Sequence, residues 1–324
     1  MNGWWIEALL AQRKWTAFGL EMGIWMPINP MRYWHIWNNT RIMNKYIDRD
    51  LDIWYNATLG GAKSKAIIDL ALSGYNAEGK KDELGRTQID DVFRQYARSQ
   101  LKVFIFAGHD AASTTMCYAW LPLSRNPEAM ARLRAELDNV LGPDSDAAAA
   151  VLSSNPALLN RLPYTLAVIK ETLRLFPVVS SPRGGLKNYS LTNSRGRHVP
   201  TEHCLVWAVH HGVHNNPLWW PQVDEFIPER FLQDGSEELR PRKNAWQPFG
   251  LGPRGCIGTE LALTELKIVL ALTAREFDLE EAYEEWDRVN KPKGIKRVDG
   301  ERAYQIQLGS AHPADGFPMR VVAL

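Results

Sequence analysis

The chain has 324 residues, 45% of them hydrophobic and 23% charged, with a formal net charge of +1. That balance excludes a disordered polypeptide and a broad electrostatic pull on nucleic acid or anionic lipid. No uninterrupted apolar run is long enough to span a bilayer. The amino terminus sets Glu7, Arg13, Lys14 and Glu21 among its tryptophans, without the order of a secretory signal.

Apolar and basic residues at helical spacing predict helices over about 31–56 and about 64–76, followed by a charged connector, Lys80 to Thr87. A long helix is expected from Ile89 to about Trp120. Its first half is amphipathic. Its second half, from Val103 onward, is apolar nearly all round and is expected inside the protein, closed by Pro122 and Pro127. A helix over Pro127 to Leu141 stops at Gly142-Pro143, and Asp144 to Asn155 reads as a loop of small residues. Pro163 opens a helix that runs to Phe176, before Pro177. Short strands are expected over about 183–210, and ordered coil over 215–250. A last buried helix is expected from near Cys256 to about Arg275, with strand-like runs at Tyr304 to Leu308 and Met319 to Val322. The fold class is mainly α with minor β strands. Thirteen tryptophans predict a large aromatic core rather than a nucleic-acid platform, since few basic residues interleave them.

Three cysteines (Cys117, Cys204, Cys256) without a CxxC form no disulfide framework and no four-cysteine zinc site. A reducing compartment suits them, and a cysteine that matters is then a lone thiolate. Cys256 lies in Phe249-Gly250-Leu251-Gly252-Pro253-Arg254-Gly255-Cys256-Ile257-Gly258. The glycines give the backbone freedom and leave room for a flat, large group. The amino end of a following helix favours a thiolate over a thiol. Arg254 is within two residues of the sulfur and suits an anionic group on the same partner.

Other readings compete. Gly250-x-Gly252-x-x-Gly255 spells a dinucleotide fingerprint, but no buried strand precedes it and Pro253 lies inside the turn. A tight turn holding a structural cysteine is the plainest alternative. His210-x-x-x-His214 invites a zinc reading. It lacks His-Glu-x-x-His and sits in a segment that reads as strand plus turn, where the rings need not converge.

The cysteine loop resembles the haem-binding signature of the cytochrome P450 family, Phe-x-x-Gly-x-Arg-x-Cys-x-Gly, at Phe249, Gly252, Arg254, Cys256 and Gly258. Three further segments resemble family motifs in the same order. They are Ala107-Gly108-His109-Asp110, Lys170-Glu171-Thr172-Leu173-Arg174 and Pro228-Glu229-Arg230-Phe231. The tail, Gly300 to Tyr304 and Gly316-Phe317-Pro318, resembles filamentous-fungal members of secondary metabolism.

The resemblance implies one haem domain over residues 1–324, without the family's membrane anchor and early helices and strands. It implies haem b with Cys256 as axial thiolate and metal ligand, and Arg183 near a haem propionate. A buried triad of Glu171, Arg174 and Arg230 would lock the coil before Cys256, and Gly108 would mark a bulge in the central helix. Electrons would come from NADPH through NADPH-cytochrome P450 reductase. One atom of O2 would enter a small apolar or aromatic substrate facing Ala107, Ala111, Ala112 and Val178 to Ser181. No nucleic-acid partner is implied. Membrane contact and a place at the cytosolic face of the endoplasmic reticulum follow only by analogy with full-length relatives. Asp110 would relay protons, and where the family usually carries threonine this chain has Ala111, which leaves three outcomes: Thr114 or Thr115 supplies the hydroxyl, the substrate's own hydroxyl does, or oxygen activation leaks to peroxide. Ala111 and the short amino-terminal part also fit a second reading, an inactive or merely haem-binding remnant.

Overall fold

The computed structural model of the chain describes residues 7–9, 11–12, 15, 29–59, 89–308 and 310–324. The helix expected over 64–76, the connector from Lys80 to Thr87 and most of the tryptophan-rich first segment lie outside them. The chain forms two compact units, Met1–His109 and Asp110–Leu324.

In the first unit, α1 (Pro30–Leu59) carries Ile47, Leu51 and Tyr55 at four-residue spacing. They bury one stripe with Ile89 and Ala97, the latter on the first half of α2 (Asp91–Arg125). Asp48 and Asp52 share a face of α1, as Arg94 and Arg98 share one of α2. Arg98 grips Asp48 through two bonds of 2.6 Å, and Arg94 reaches Asp52 at 2.7 Å. Asp90 starts α2 by accepting the Phe93 N–H at 2.7 Å. Trp34, Trp37 and Trp54 are exposed, so the tryptophan count does not become an aromatic core here; an indole is too large to be covered easily.

Helix α2 departs from expectation in three ways. It passes Pro122 and ends at Arg125. One lost donor does not outweigh the packing of Tyr118, Leu121 and Leu123, each at most 1% exposed. Burial begins at Asp110, not Val103, because Ala107 and Gly108 offer too little apolar area to draw neighbours over that turn. Finally, α2 runs through Gly108 as ordinary α-helix without the expected bulge. One glycine costs a helix only about 1 kcal/mol, which the flanking turns absorb.

The core of the second unit gathers α3 (Pro127–Leu141), α5 (Pro163–Leu175) and α7 (Thr259–Thr273), with the second half of α2. Met130, Leu133, Leu137 and Leu141 form the apolar stripe of α3. Leu133, Leu137, Val168, Ile169 and Leu270 are all wholly buried, each stabilising by roughly 2 kcal/mol. Helix α5 has no side-chain cap of its own. Glu136 of α3 accepts the N–H groups of Tyr164 (2.6 Å) and Thr165 (2.8 Å) instead. The expected small-residue loop contains α4 (Ala148–Ser154), because its alanines are the strongest helix formers.

Among the described residues the strands form four antiparallel two-stranded sheets. Strand β1 (Ser181–Gly184) pairs with β4 (Leu205–Ala208), and β2 (Ser190–Thr192) with β3 (His198–Pro200). Strand β5 (Phe277–Glu281) pairs with β8 (Met319–Ala323), and β6 (Gln305–Leu308) with β7 (Ser310–Pro313). His210–His214 forms a one-turn helix, α6, where strand plus turn was expected. Helix α8 (Tyr283–Asn290), β5 and β7 were not anticipated.

Candidate active site

The site is built on a buried ionic brace. Glu171 and Arg174, three apart on α5, have wholly buried side chains and meet through two bonds of 2.8 and 2.9 Å. Arg230 joins Glu171 at 3.2 Å, as does the Ile227 N–H at 3.0 Å. The remaining donors of Arg174 serve the carbonyls of His214, Val223 and Glu225, and Arg230 serves that of Gln222. Burial pushes the Arg230 guanidinium below its ordinary range, against the pull of Glu171. The expected triad therefore exists, and it holds the long coil at four carbonyls. Trp246 extends the grip by donating to the Lys170 carbonyl at 3.0 Å.

That fixed coil delivers the cysteine loop. Phe249 packs on the main core and edge-on to Trp246, 6.1 Å between rings. Its carbonyl accepts the Cys256 N–H at 2.8 Å, closing the loop. Gly250 and Gly252 take φ values of +71° and +74°, which a side chain would resist. Helix α7 begins at Thr259 with Gly258 as its cap, so Cys256 stands two residues ahead of the cap rather than on the first turn. Its carbonyl accepts the Thr259 hydroxyl at 2.9 Å. The cysteine is exposed, as are its neighbours Leu251 (50%) and Ile257 (90%). A side chain at Gly258 would stand 3.8 Å from the sulfur.

A flat apolar group bound through sulfur needs an accessible thiol, apolar surface around it and cations for its acidic edge. This loop fits haem on each count. Arg254 is exposed two residues from Cys256, and Arg183 is exposed on β1, where its guanidinium donates to the adjacent Pro182 carbonyl at 2.8 Å.

On α2, Asp110, Thr114 and Thr115 are all buried. The structure separates the two threonines. Thr115 turns its hydroxyl back to the Ala111 carbonyl at 2.7 Å. Thr114 lies 3.1 Å from Nδ1 of His312, on β7. The other ring nitrogen, Nε2, is 3.2 Å from Oδ1 of Asp110, and Ser310 donates its hydroxyl to Asp110 Oδ2 at 2.5 Å. Sequence reasoning missed Ser310 and His312. Their strand has no apolar alternation, and some 200 residues separate them from Asp110.

The segment from Pro177 to Ser181, which leads into β1, connects the hairpin to the cysteine loop. The Pro177 carbonyl accepts from the Gln305 side chain at 3.2 Å and the Val178 carbonyl from the Ala311 N–H at 2.8 Å. The Val179 carbonyl is 2.8 Å from Nδ1 of His210. A Cβ on Gly250 would touch Ser181 Oγ at 3.8 Å. His210 and His214 share one helix, yet His214 turns its Nε2 to the Gln247 N–H at 3.0 Å. Among the described residues no group of three or more side chains is arranged to hold a metal ion.

The family model described as Cytochrome P450 matches residues 9–306. The chain is 46% identical over 324 residues to cytochrome P450 monooxygenase polC of Polytolypa hystricis, a match covering 97% of this chain and 57% of that protein. It is 35% identical over 326 residues to cytochrome P450 monooxygenase acrF of Aspergillus aculeatus, covering 93% and 64%. The chain thus spans about three-fifths of the length of these relatives. A crystal structure of a cytochrome P450DA heme domain superposes with a TM-score of 0.69 at 22% identity, over 99% of this chain and 61% of that one. No helix among the described residues is long and apolar enough to cross a membrane.

Proposed function

The chain belongs to the cytochrome P450 family, and from that premise we propose that it works as a haem-thiolate monooxygenase on a small apolar or aromatic substrate of fungal secondary metabolism. The observation that carries this reading is the exposed Cys256 on a glycine loop, delivered by a wholly buried Glu171–Arg174–Arg230 brace. Haem bound through a thiolate supplies the activation of dioxygen, the sulfur's electron density favouring O–O cleavage. Cys256 would hold the group, and Arg254 and Arg183 would meet its carboxylates. Ala111, Ala112 and the segment from Val178 to Ser181 offer small or apolar surface to the substrate. Asp110 is buried beside Ser310 and His312, where its carboxyl can accept a proton and pass it on. Electrons come from NADPH through a reductase, as the relatives' names as monooxygenases suggest by analogy.

The test is the carbon monoxide difference spectrum of the reduced, haem-supplemented protein. The wild type should give a thiolate-type Soret band and Cys256→Ser should lose it. An unchanged band in the serine variant would remove Cys256 as ligand and the reading with it.

A further inference from the structure

We propose that His312 is a positioning and relay residue that passes solvent protons to Asp110, an inference that rests on the monooxygenase reading above.

The geometry is a bridge with two ends. Asp110, from the middle of α2, has a side chain 8% exposed, and His312, from the terminal hairpin, one 16% exposed. The histidine is therefore the more exposed of the two and the carboxyl the more buried. Nε2 lies 3.2 and 3.3 Å from the two carboxyl oxygens, and Nδ1 lies 3.1 Å from Thr114 Oγ1. An ionised carboxylate only accepts hydrogen bonds, so the ring hydrogen facing it belongs on Nε2. Ser310 Oγ touches both partners, 2.5 Å from Asp110 Oδ2 and 3.2 Å from Nε2, and fixes their spacing. No hydroxyl stands at Ala111, and that of Thr115 is committed to the Ala111 carbonyl. Among the described residues Thr114 is the hydroxyl on this turn that meets an ionisable ring.

The transfer balances. In the protonated ring both nitrogens carry hydrogen, with Nδ1–H donating to Thr114 Oγ1 and Nε2–H to Asp110. Transfer from Nε2 to a carboxyl oxygen leaves a neutral ring that keeps its Nδ1–H, and a neutral carboxylic acid. Asp110 then gives up the proton to the reaction; with no organic substrate present, two protons and two electrons turn O2 into peroxide, and four of each turn it into two waters, so slower proton delivery shifts the product from water to peroxide. A solvent proton restores Nε2. Imidazole suits this step because it carries hydrogen on one ring nitrogen or on both.

The experiment uses the haem-loaded full chain with a reductase, NADPH and oxygen, and needs no organic substrate. The readout is peroxide released per NADPH consumed. His312→Gln can still donate to Asp110 but passes no proton through a ring. We expect it to keep the thiolate carbonyl band and at least double the peroxide share. A share equal to the wild type's would overturn the relay while leaving the monooxygenase reading intact. A wild type with neither band nor NADPH consumption would overturn both. A second measurement does not depend on turnover or on that variant folding. In the diamagnetic carbonyl form, the 15N shifts of the His312 ring should place hydrogen on Nε2, and Asp110→Asn should move them. A ring bare at Nε2, or shifts indifferent to Asp110→Asn, would refute the bridge.

Discussion

His214 shows how a single ring can be committed to structure. Its side chain is wholly buried, its carbonyl receives Arg174, and its Nε2 receives the Gln247 N–H. Burial first, then the nearby His210 and Arg174, push its pKa down from 6.5 to about 4. The unfolded chain therefore binds a proton that the folded chain refuses between those values. The folded state loses stability as pH falls from 6.5 to about 4, on the order of 3 kcal/mol in all, with no further loss from this group below that. His214→Gln keeps an acceptor for Gln247 and should flatten that limb of the urea-unfolding midpoint against pH. Parallel limbs would mean the acid sensitivity lies elsewhere. The same pair marks a limit of reading letters. The spacing of His210 and His214 suggested a metal only if both rings turned inward together. Whether they do depends on Val179 and Gln247, which come from remote parts of the chain.

The decisive elements are α5 and the coil it holds. With two guanidiniums buried against it, Glu171 cannot be removed without leaving uncompensated charge. Glu171→Gln should lower stability by about 3–5 kcal/mol, read as a fall in the denaturant midpoint, and loosen haem retention in parallel. A midpoint within experimental error of the wild type would show that the brace is dispensable. Most of this element was legible in advance, because Glu-x-x-Arg fixes a helical face and the cysteine loop has a rigid residue pattern. Helix α4 was not, because alanines and serines read equally as loop or helix until Leu152 has a core to enter. Nor was β7, whose Ser-Ala-His-Pro becomes a strand only beside β6. The unforeseen part of the candidate site, Ser310 and His312, lies in that strand.

At the scale of the whole molecule, the last strand pairs along its full length within the second unit. All five residues of β8 pair with β5, and the Leu324 N–H reaches the Glu276 carbonyl at 3.0 Å. Four of the five side chains of β8 are exposed, so its contribution is chiefly its hydrogen bonds, at about 1 kcal/mol each. Deleting residues 319–324 should lower the thermal midpoint by several degrees without altering the carbonyl spectrum. A spectrum lost together with the midpoint would show that the strand also shapes the haem site.

The stretch from Pro177 to Ser181 has a consequence for how such a chain tolerates change in length. Three carbonyls in a row here are spoken for by different neighbours. Adding or removing one residue would put the carbonyls that follow out of step with those donors. Natural variation in this stretch should therefore come as exchanges of side chain, with gaps and extra residues falling in the exposed turn between β2 and β3.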